Sequence, residues 1–151
     1  MKRLLMVFML ICCLFSVIAQ ENINSNNNKM DSQKLYITIN GKKVSATLVN
    51  NSSTKALTEK LAAGPITYEA HDYGDFEKVG NLPWVLPRND EDITTVPGDL
   101  ILYLGSRFVI YYDQNHWDFT KLGKLDQLTQ QEIKDLVRAG NGNVQVTLSL
   151  D

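Results

Sequence analysis

The chain has 151 residues, with 15 Lys or Arg and 17 Asp or Glu, which gives a formal net charge of −2 at pH 7. Neutralisation of negative charge by basic side chains supplies most of the affinity for nucleic acid and for anionic membrane surfaces. The charge balance therefore argues against both as binding partners.

Residues 1–19 have the pattern of a secretory signal peptide. Lys2 and Arg3 precede an apolar run over 4–18, and Ala19 completes a small-residue cleavage pattern. The run is shorter than the ~20 apolar residues that cross a membrane, so a cleaved signal is favoured over a retained N-terminal anchor. We therefore expect export to the periplasm or the extracellular space, without stable membrane insertion after signal cleavage.

Both cysteines, Cys12 and Cys13, lie inside this apolar run. A lipoprotein signal needs a small residue just before the cysteine, and Ile11 and Cys12 stand there instead. Cleavage after Ala19 would leave no cysteine, which excludes a disulfide, a cysteine nucleophile and a thiolate metal ligand in the mature chain. Cleavage would also remove two basic residues and no acidic ones, which makes the net charge −4.

Residues 20–33, QENINSNNNKMDSQ, contain too little apolar surface to fold and are predicted to be a flexible polar linker. Residues 34–151 are long enough for one domain with its own hydrophobic core. This domain begins with LYITINGKKVSATL (35–48), in which apolar and polar residues alternate on both sides of an Asn-Gly pair. Such a pattern is the strongest short-range indication of a β-hairpin.

A short helix is predicted next, over 54–63, with Ser52 or Ser53 as its N-cap and the following Gly-Pro pair as its end. A strand over 66–70 follows. The centre of the domain contains two apolar runs, 100–104 and 108–112, separated by a Gly-Ser turn. These runs predict two central strands that are buried on much of both faces.

A second helix is predicted after Thr129, which forms a capping box with Glu132. Gly140 is expected to end it. Its buried face should consist of three residues, Ile133, Leu136 and Val137. The alternating segment 144–150 then forms a last strand, which should pair with the first hairpin and close the sheet.

These elements together predict a mainly β domain, a closed β-barrel of about eight strands with two short helices at its ends. Two short helices cannot cover both faces of an open sheet of that size. The closed arrangement is therefore favoured.

The order of these segments resembles the bacterial cyclophilin-like family, whose members are mostly uncharacterised. Four segments carry the resemblance: ITINGKKVSATLVNNSSTKALTEKL (37–61), YGDFEKVGNLP (73–83), VPGDLILYLGSRFVIYY (96–112) and TKLGKL (120–125). The resemblance implies a cyclophilin-type barrel with helices at its ends.

The resemblance does not extend to prolyl isomerase activity. Prolyl isomerases of the cyclophilin type carry an arginine in a Phe-His-Arg stretch. After the predicted signal, the arginines of this chain are Arg88, Arg107 and Arg138, and none follows a Phe-His pair. Isomerase function is therefore not carried over from the resemblance.

Residues 71–84, HDYGDFEKVGNLPW, concentrate polar and aromatic side chains between glycines and a proline. Glu77 and Lys78 are adjacent, so on a strand they point to opposite faces. A buried Glu77 with a raised pKa would be a candidate general base. The structural alternative, which we favour from sequence, is that Glu77 accepts backbone hydrogen bonds and holds this corner of the barrel.

Two loose groups of possible metal ligands occur, one in 71–75 and one in 113–118, but neither has the ligand spacing of a known metal site. No G-x-S-x-G motif and no phosphate-binding glycine loop is present. The sequence therefore predicts no metal, no cofactor and no recognisable catalytic group.

Aromatic residues in the loops favour a binding role. We expect a groove that receives a small molecule or a peptide, in a monomeric, non-catalytic binding module. The groove is expected to be lined by Tyr73, Phe76, Trp84 and Trp117, with Glu77 as its polar anchor. Two alternatives remain: an enzyme on the same barrel, either a weak prolyl isomerase or an acid–base catalyst using Glu77, and a structural component of a cell-envelope assembly.

Overall fold

The computed structural model describes residues 33–151. The predicted signal peptide (1–19) and all of the predicted linker (20–33) except Gln33 lie outside the described residues. The strands are β1 (Lys34–Ile39), β2 (Lys42–Leu48), β3 (Ile66–Tyr73), β4 (Glu77–Asn81), β5 (Glu91–Thr94), β6 (Asp99–Tyr103), β7 (Arg107–Tyr111), β8 (His116–Leu125) and β9 (Val144–Ser149). The helices are α1 (Ser52–Leu61) and α2 (Gln130–Val137).

Eight strands form a closed antiparallel barrel, in the order β2-β1-β9-β3-β4-β7-β6-β8, and β8 pairs back with β2. The predicted mainly β barrel with two helices is thus confirmed. The pairing of β9 with β1 of the first hairpin is also confirmed. The ring, however, is closed by β2 and β8, where Ala46 lies opposite Leu125 and Leu48 opposite Gly123. A side chain at position 123 would place its Cβ 2.3 Å from the Thr47 carbonyl oxygen, so this contact requires glycine.

Strand β5 is the ninth strand and lies outside the ring. It pairs with the first residues of β8, from Glu91 opposite Phe119 to Thr94 opposite His116. The later residues of β8 pair with β6 and β2 instead. The long strand β8 therefore belongs to the barrel at one end and to a two-stranded extension at the other.

The seam between β2 and β8 carries a hydrogen-bonded aspartate. Asp126, just after β8, accepts hydrogen bonds from Lys34 Nζ at 2.8 Å, Ser45 Oγ at 2.7 Å and Thr47 Oγ1 at 2.7 Å. Partial burial acts to raise the pKa of Asp126, but these partners lower it below its ordinary value. The carboxylate thereby holds the start of the domain and the second strand against the end of β8.

The first hairpin turns as predicted, with Asn40 and Gly41 both at positive φ (52° and 76°), which is the backbone form of a two-residue hairpin turn. The predicted cap of α1 is wrong. Asn51 caps the helix and accepts a hydrogen bond from Thr54 N, whereas Ser53 Oγ donates to the carbonyl of Pro87. Asparagine and serine are nearly equal caps, so tertiary contacts decided between them.

The capping box of α2 is confirmed, since Glu132 Oε2 accepts a hydrogen bond from Thr129 N at 2.8 Å. The predicted end at Gly140 is wrong: Arg138, at φ 52°, takes the left-handed position that ends α2. The buried residues of α2 are the three that were predicted, Ile133, Leu136 and Val137. The helix pattern therefore located the buried face correctly and placed the end too late.

The two helices lie at opposite ends of the barrel, because α1 connects the end of β2 to the start of β3 and α2 connects the end of β8 to the start of β9. Their apolar faces join the barrel interior in one core, which contains Leu57 of α1 and Leu136 of α2. A second apolar cluster lies on the outer surface of the sheet, around Val79, Val109 and Tyr111. Within residues 33–151, no helix is long and apolar enough to cross a membrane.

Candidate functional site

A pocket of about 450 Å³ lies on the outer face of the barrel, over the second apolar cluster. Its volume is in the range of small-molecule sites in proteins. Strands β3, β4, β6, β7 and the first half of β8 all contribute side chains. The lining residues are His71, Tyr73, Glu77, Val79, Asn81, Tyr103, Arg107, Tyr111, Asn115, Trp117 and Phe119.

Strand alternation and register bring these side chains together. On β4, residues 77, 79 and 81 face the pocket, and the alternate residue Lys78 faces the barrel interior. Glu77 lies directly opposite Tyr73 of β3 and Tyr111 of β7. Asn81 lies opposite Arg107 in the same way. Residues directly opposite one another on neighbouring strands have their side chains within contact distance. The strand register therefore determines which side chains lie next to each other in the pocket.

Aromatic rings form much of the pocket wall. The Tyr111 ring lies 5.7 Å from that of Phe119, which in turn contacts Tyr103 edge-on at 6.1 Å. Tyr73 and Trp117 remain 63% and 61% exposed although both are large aromatic residues. Exposed aromatic side chains at the edge of a concave, partly apolar surface are typical of ligand-binding sites.

Glu77 is buried in this pocket, with 8% of its surface exposed. Burial raises the pKa of Glu77 above its ordinary value, although a hydrogen bond from the Tyr111 hydroxyl and the positive charge of Arg107 both act to lower it. Burial, together with the Glu77 carboxyl, also raises the pKa of Tyr111. Glu77 and Tyr111 are therefore neighbouring, desolvated groups that both line the pocket. Within residues 33–151, no backbone N–H acts on the Glu77 carboxyl, so the backbone hydrogen bonds expected from the sequence are not found there.

Arg107 supplies a positive charge at the end of the pocket that lies away from Glu77 along the strands. Its guanidinium lies over the ring of Tyr103, 5.8 Å from the centroid, and the residue is exposed. Among the side chains of residues 33–151, neither Arg107 nor Glu77 has an oppositely charged partner within 4.0 Å. Both charges are thus available to a molecule in the pocket.

Three of the five predicted groove residues, Tyr73, Glu77 and Trp117, line this pocket. Phe76 lies in the β3–β4 turn and stacks on Tyr111, with the centroids 6.2 Å apart and the ring planes at 7°, so it packs against the outer apolar cluster without lining the pocket. Trp84 lies elsewhere, packed against the interior core.

The sequence did not indicate Arg107, Tyr111, Asn115 or Tyr103 as site residues. Tyr111 lies in the run 108–112, which the sequence predicts only as a buried strand, and the observed strand also includes Arg107, just before that run. Because Arg107 and Tyr111 alternate with the apolar residues Phe108 and Ile110, the sequence does indicate that the two share one face of the strand. The pairing partners of that face become known only from the register of β7 with β4.

On the opposite face of β4, Lys78 is fully buried inside the end of the barrel. Its ammonium group contacts Asp72 Oδ2 at 2.8 Å and donates to the carbonyls of Gly142 at 2.9 Å and Arg138 at 3.4 Å. Partial burial acts to raise the pKa of Asp72, but the hydrogen bond from Lys78, with help from others including the Tyr112 hydroxyl, lowers it. This network fixes the loop between α2 and β9.

The two groups of possible metal ligands do not converge. His116 pairs instead with Asp92 at 3.2 Å and contacts Thr94 Oγ1 at 3.0 Å. Asp113 is held by Lys134 at 3.2 Å. In the part of the chain that the structure describes, no three His, Cys, Asp or Glu side chains are arranged to hold a metal ion.

Comparison with known structures shows similar folds, among them the following two. The solution structure of a hypothetical protein from Archaeoglobus fulgidus has a TM-score of 0.60 and 12% identity, covering 80% of this chain and 95% of that one. The structure of McbB in complex with tryptophan has a TM-score of 0.53 and 13% identity, covering 76% of this chain and 44% of McbB. This chain thus spans less than half of McbB. At these identities, the similarity concerns the fold alone.

A search of curated proteins finds no match to the chain. A protein-family model described as the Cyclophilin-like family matches residues 37–149, from the first strand of the barrel to the last. The match covers most of the chain and agrees with the closed barrel and its two helices. The chain therefore belongs to the Cyclophilin-like family.

Proposed function

We propose that this protein is a binding module that holds a small molecule, or one end of a peptide, in the pocket on the outer face of the barrel. The observation that carries the proposal is the carboxyl of Glu77, which is buried among aromatic rings without a cationic partner in the described chain. Burial of a carboxylate without a partner costs free energy, so such groups are concentrated at sites where a ligand or a reaction uses them.

The aromatic composition of the pocket indicates a flat, partly apolar ligand. Tyr103, Tyr111 and Phe119 provide ring faces and edges. Trp117 provides a large, exposed ring at the edge of the pocket. Aromatic contacts of this kind add about 0.5–1.5 kcal/mol each beyond the buried area. McbB, a protein of similar fold, has been solved with tryptophan, which supports the choice of aromatic amino acids among the first compounds tested.

The test is a screen of the purified chain against a broad set of metabolites and short peptides by thermal shift, followed by calorimetry. We expect at least one compound to stabilise the chain, and expect Glu77→Gln to weaken its binding by about tenfold or more. Glu59→Gln, which changes an exposed glutamate on α1, is the matched control and should bind normally. If no compound stabilises the chain, or if binding is unaffected by Glu77→Gln, the proposed site is wrong.

A second candidate function, acid–base catalysis by Glu77, is favoured by one observation. Burial raises the pKa of Glu77, and Tyr111 lies directly opposite it on the neighbouring strand, where its hydroxyl acts to lower that pKa. A carboxyl whose pKa lies nearer neutral pH is a better general base or acid than an ordinary glutamate. Proline isomerisation, measured in a protease-coupled assay at high protein concentration, is the first reaction to test. Rate enhancement that Glu77→Gln abolishes would support the enzyme, and the absence of enhancement would argue against this reaction.

We further propose that the protein is exported and acts as a monomer. The pattern of residues 1–19 supports export. A closed barrel has no free strand edges of its own, and the added strand β5 carries the acidic residues Glu91 and Asp92, which discourage edge-to-edge pairing. N-terminal sequencing of protein from cell fractions, and the mass in solution by light scattering, test the two statements separately.

A further inference from the structure

The pocket holds two opposite charges that are not paired with each other. Glu77 lies at the β3–β4 turn end, opposite Tyr111, and Arg107 lies four residues before Tyr111 on β7, opposite Asn81. Four residues along a strand correspond to about 13 Å between backbone positions. The long arginine side chain brings its charge closer to Glu77 than this, and that charge acts on the Glu77 carboxyl to lower its pKa. The pocket therefore has a negative end and a positive end on one face of the sheet.

The surface between the two ends is apolar. Val79 and Val109 lie opposite one another at its centre, with Ile101 beside Val109 on β6. All three belong to the outer apolar cluster that also contains Tyr111 and Phe119. A ligand that pairs with both charges therefore bridges the space between them and lays its apolar part against this floor.

We infer that the pocket takes an amino-acid-like zwitterion with an aromatic side chain, whose ammonium group pairs with Glu77 and whose carboxylate pairs with Arg107. This inference rests on the proposed binding function and names its ligand class. Aromatic rings beside Glu77, those of Tyr73 and Tyr111, add a favourable surface for the ammonium group through cation–π contact. The guanidinium of Arg107 presents the fork of donors that a carboxylate accepts in pairs.

Other ligand charges fit the pocket less well. A monocation would be repelled by Arg107, and a monoanion would be repelled by Glu77. An uncharged aromatic molecule would cover both charges without pairing either, which carries a desolvation cost. Only a molecule with both charges satisfies the two ends together.

Three indole compounds separate these cases. L-Tryptophan carries both charges, tryptamine lacks the carboxylate, and indole-3-propionate lacks the ammonium group. We expect the purified chain to bind tryptophan, measured by calorimetry at pH 7, at least about tenfold more tightly than either of the other two. Equal or tighter binding of tryptamine or indole-3-propionate overturns the inference.

Variants then assign each charge to its residue. Glu77→Gln should abolish the preference for tryptophan over indole-3-propionate, and Arg107→Gln should abolish the preference for tryptophan over tryptamine. Arg88→Gln, an exposed arginine paired with Asp90 outside the pocket, is the control and should keep both preferences. Loss of both preferences in only one variant, or in the control, contradicts the assignment.

The outcome also distinguishes this inference from the proposed function. If tryptophan, tyrosine and phenylalanine all fail to bind while another compound binds in a Glu77-dependent manner, the zwitterion inference fails and the binding module stands. If no compound binds at all, both fail.

Discussion

Two adjacent residues of β4, Glu77 and Lys78, place opposite charges in two different buried environments. Lys78 is fully buried inside the barrel, and its ammonium group contacts a carboxylate and two carbonyl oxygens. Glu77 is 8% exposed on the outer face, lies opposite Tyr111, and has no cation in contact among the described residues.

The difference between the two faces of β4 distinguishes a structural charge from one that is available to a ligand. A buried charge whose hydrogen-bonding capacity is filled by its own chain stabilises one conformation and is closed to solvent. A buried charge that is incompletely paired and faces an open pocket is free to interact with another molecule. By this criterion, the interior face of β4 is structural and the outer face is the candidate site.

The largest expected effect lies on the interior face. Asp72→Asn removes the anionic partner of Lys78 and leaves its charge buried, so we expect a loss of about 3–5 kcal/mol in the free energy of unfolding. Urea denaturation followed by tryptophan fluorescence measures it. Lys43→Gln, on the exposed side of β2, is the control and should change stability by no more than about 0.5 kcal/mol. A loss below about 1 kcal/mol for Asp72→Asn would show that the network is not structural.

In contrast to Asp72→Asn, Glu77→Gln should not lower the free energy of unfolding. We expect its stability to stay equal to wild type or to rise by up to about 1 kcal/mol, because the variant no longer buries a charge. The same urea titration measures this. A destabilisation as large as that of Asp72→Asn would place Glu77 with Lys78 as a structural residue and remove the contrast between the two faces.

The pH dependence of stability should run in opposite directions for the two carboxyls. The folded-state pKa of Asp72 is lowered from 3.8, so its contribution to stability is present above pH 3.8 and is lost as the pH falls through the folded-state value. The folded-state pKa of Glu77 is raised from 4.5, so its contribution is present below pH 4.5 and is lost as the pH rises through the folded-state value.

Denaturation of the two variants between pH 3 and pH 7 tests these signs. Relative to wild type, Glu77→Gln should gain stability as the pH rises above 4.5, and the deficit of Asp72→Asn should shrink as the pH falls below 3.8. A stability difference for Glu77→Gln that is independent of pH would mean that burial does not perturb this carboxyl.

The smallest expected effect concerns the hydrogen bond between Tyr111 and Glu77. Tyr111→Phe keeps the ring that contacts Phe76 and Phe119 but removes the hydroxyl that lowers the pKa of Glu77. Carboxyl-carbon NMR titration should therefore show a pKa of Glu77 above its ordinary value in wild type and higher still in Tyr111→Phe. Tyr103→Phe, a tyrosine of the same pocket, is the control. An unchanged pKa in Tyr111→Phe would exclude the hydrogen bond.

The sequence by itself determined the class of fold and most of its elements, although its patterns did not predict β4, β5 and β8. Alternation around Asn40-Gly41, the apolar runs on either side of Gly105, and the capping box of Thr129 are local patterns that specify a hairpin, two core strands and a helix. Such patterns depend on residues close in the chain, so they can be interpreted without the fold. The exact helix ends could not: Asn51 competed with equally suitable serine caps, and α2 ends at Arg138 although glycine is the residue that favours this left-handed conformation.

Only the tertiary structure decided which side chains share the pocket. Glu77 meets Tyr111 because β4 pairs with β7, and it meets Tyr73 because β4 also pairs with β3. The aromatic pattern of the loops indicated Tyr73 and Trp117 as site residues. It indicated Trp84 equally, although Trp84 packs against the core. Strand register between distant segments is set by the closure of the whole barrel. For that reason, the sequence could show that Glu77 and Lys78 face opposite ways, and only the fold could show which of them is paired and which faces a ligand.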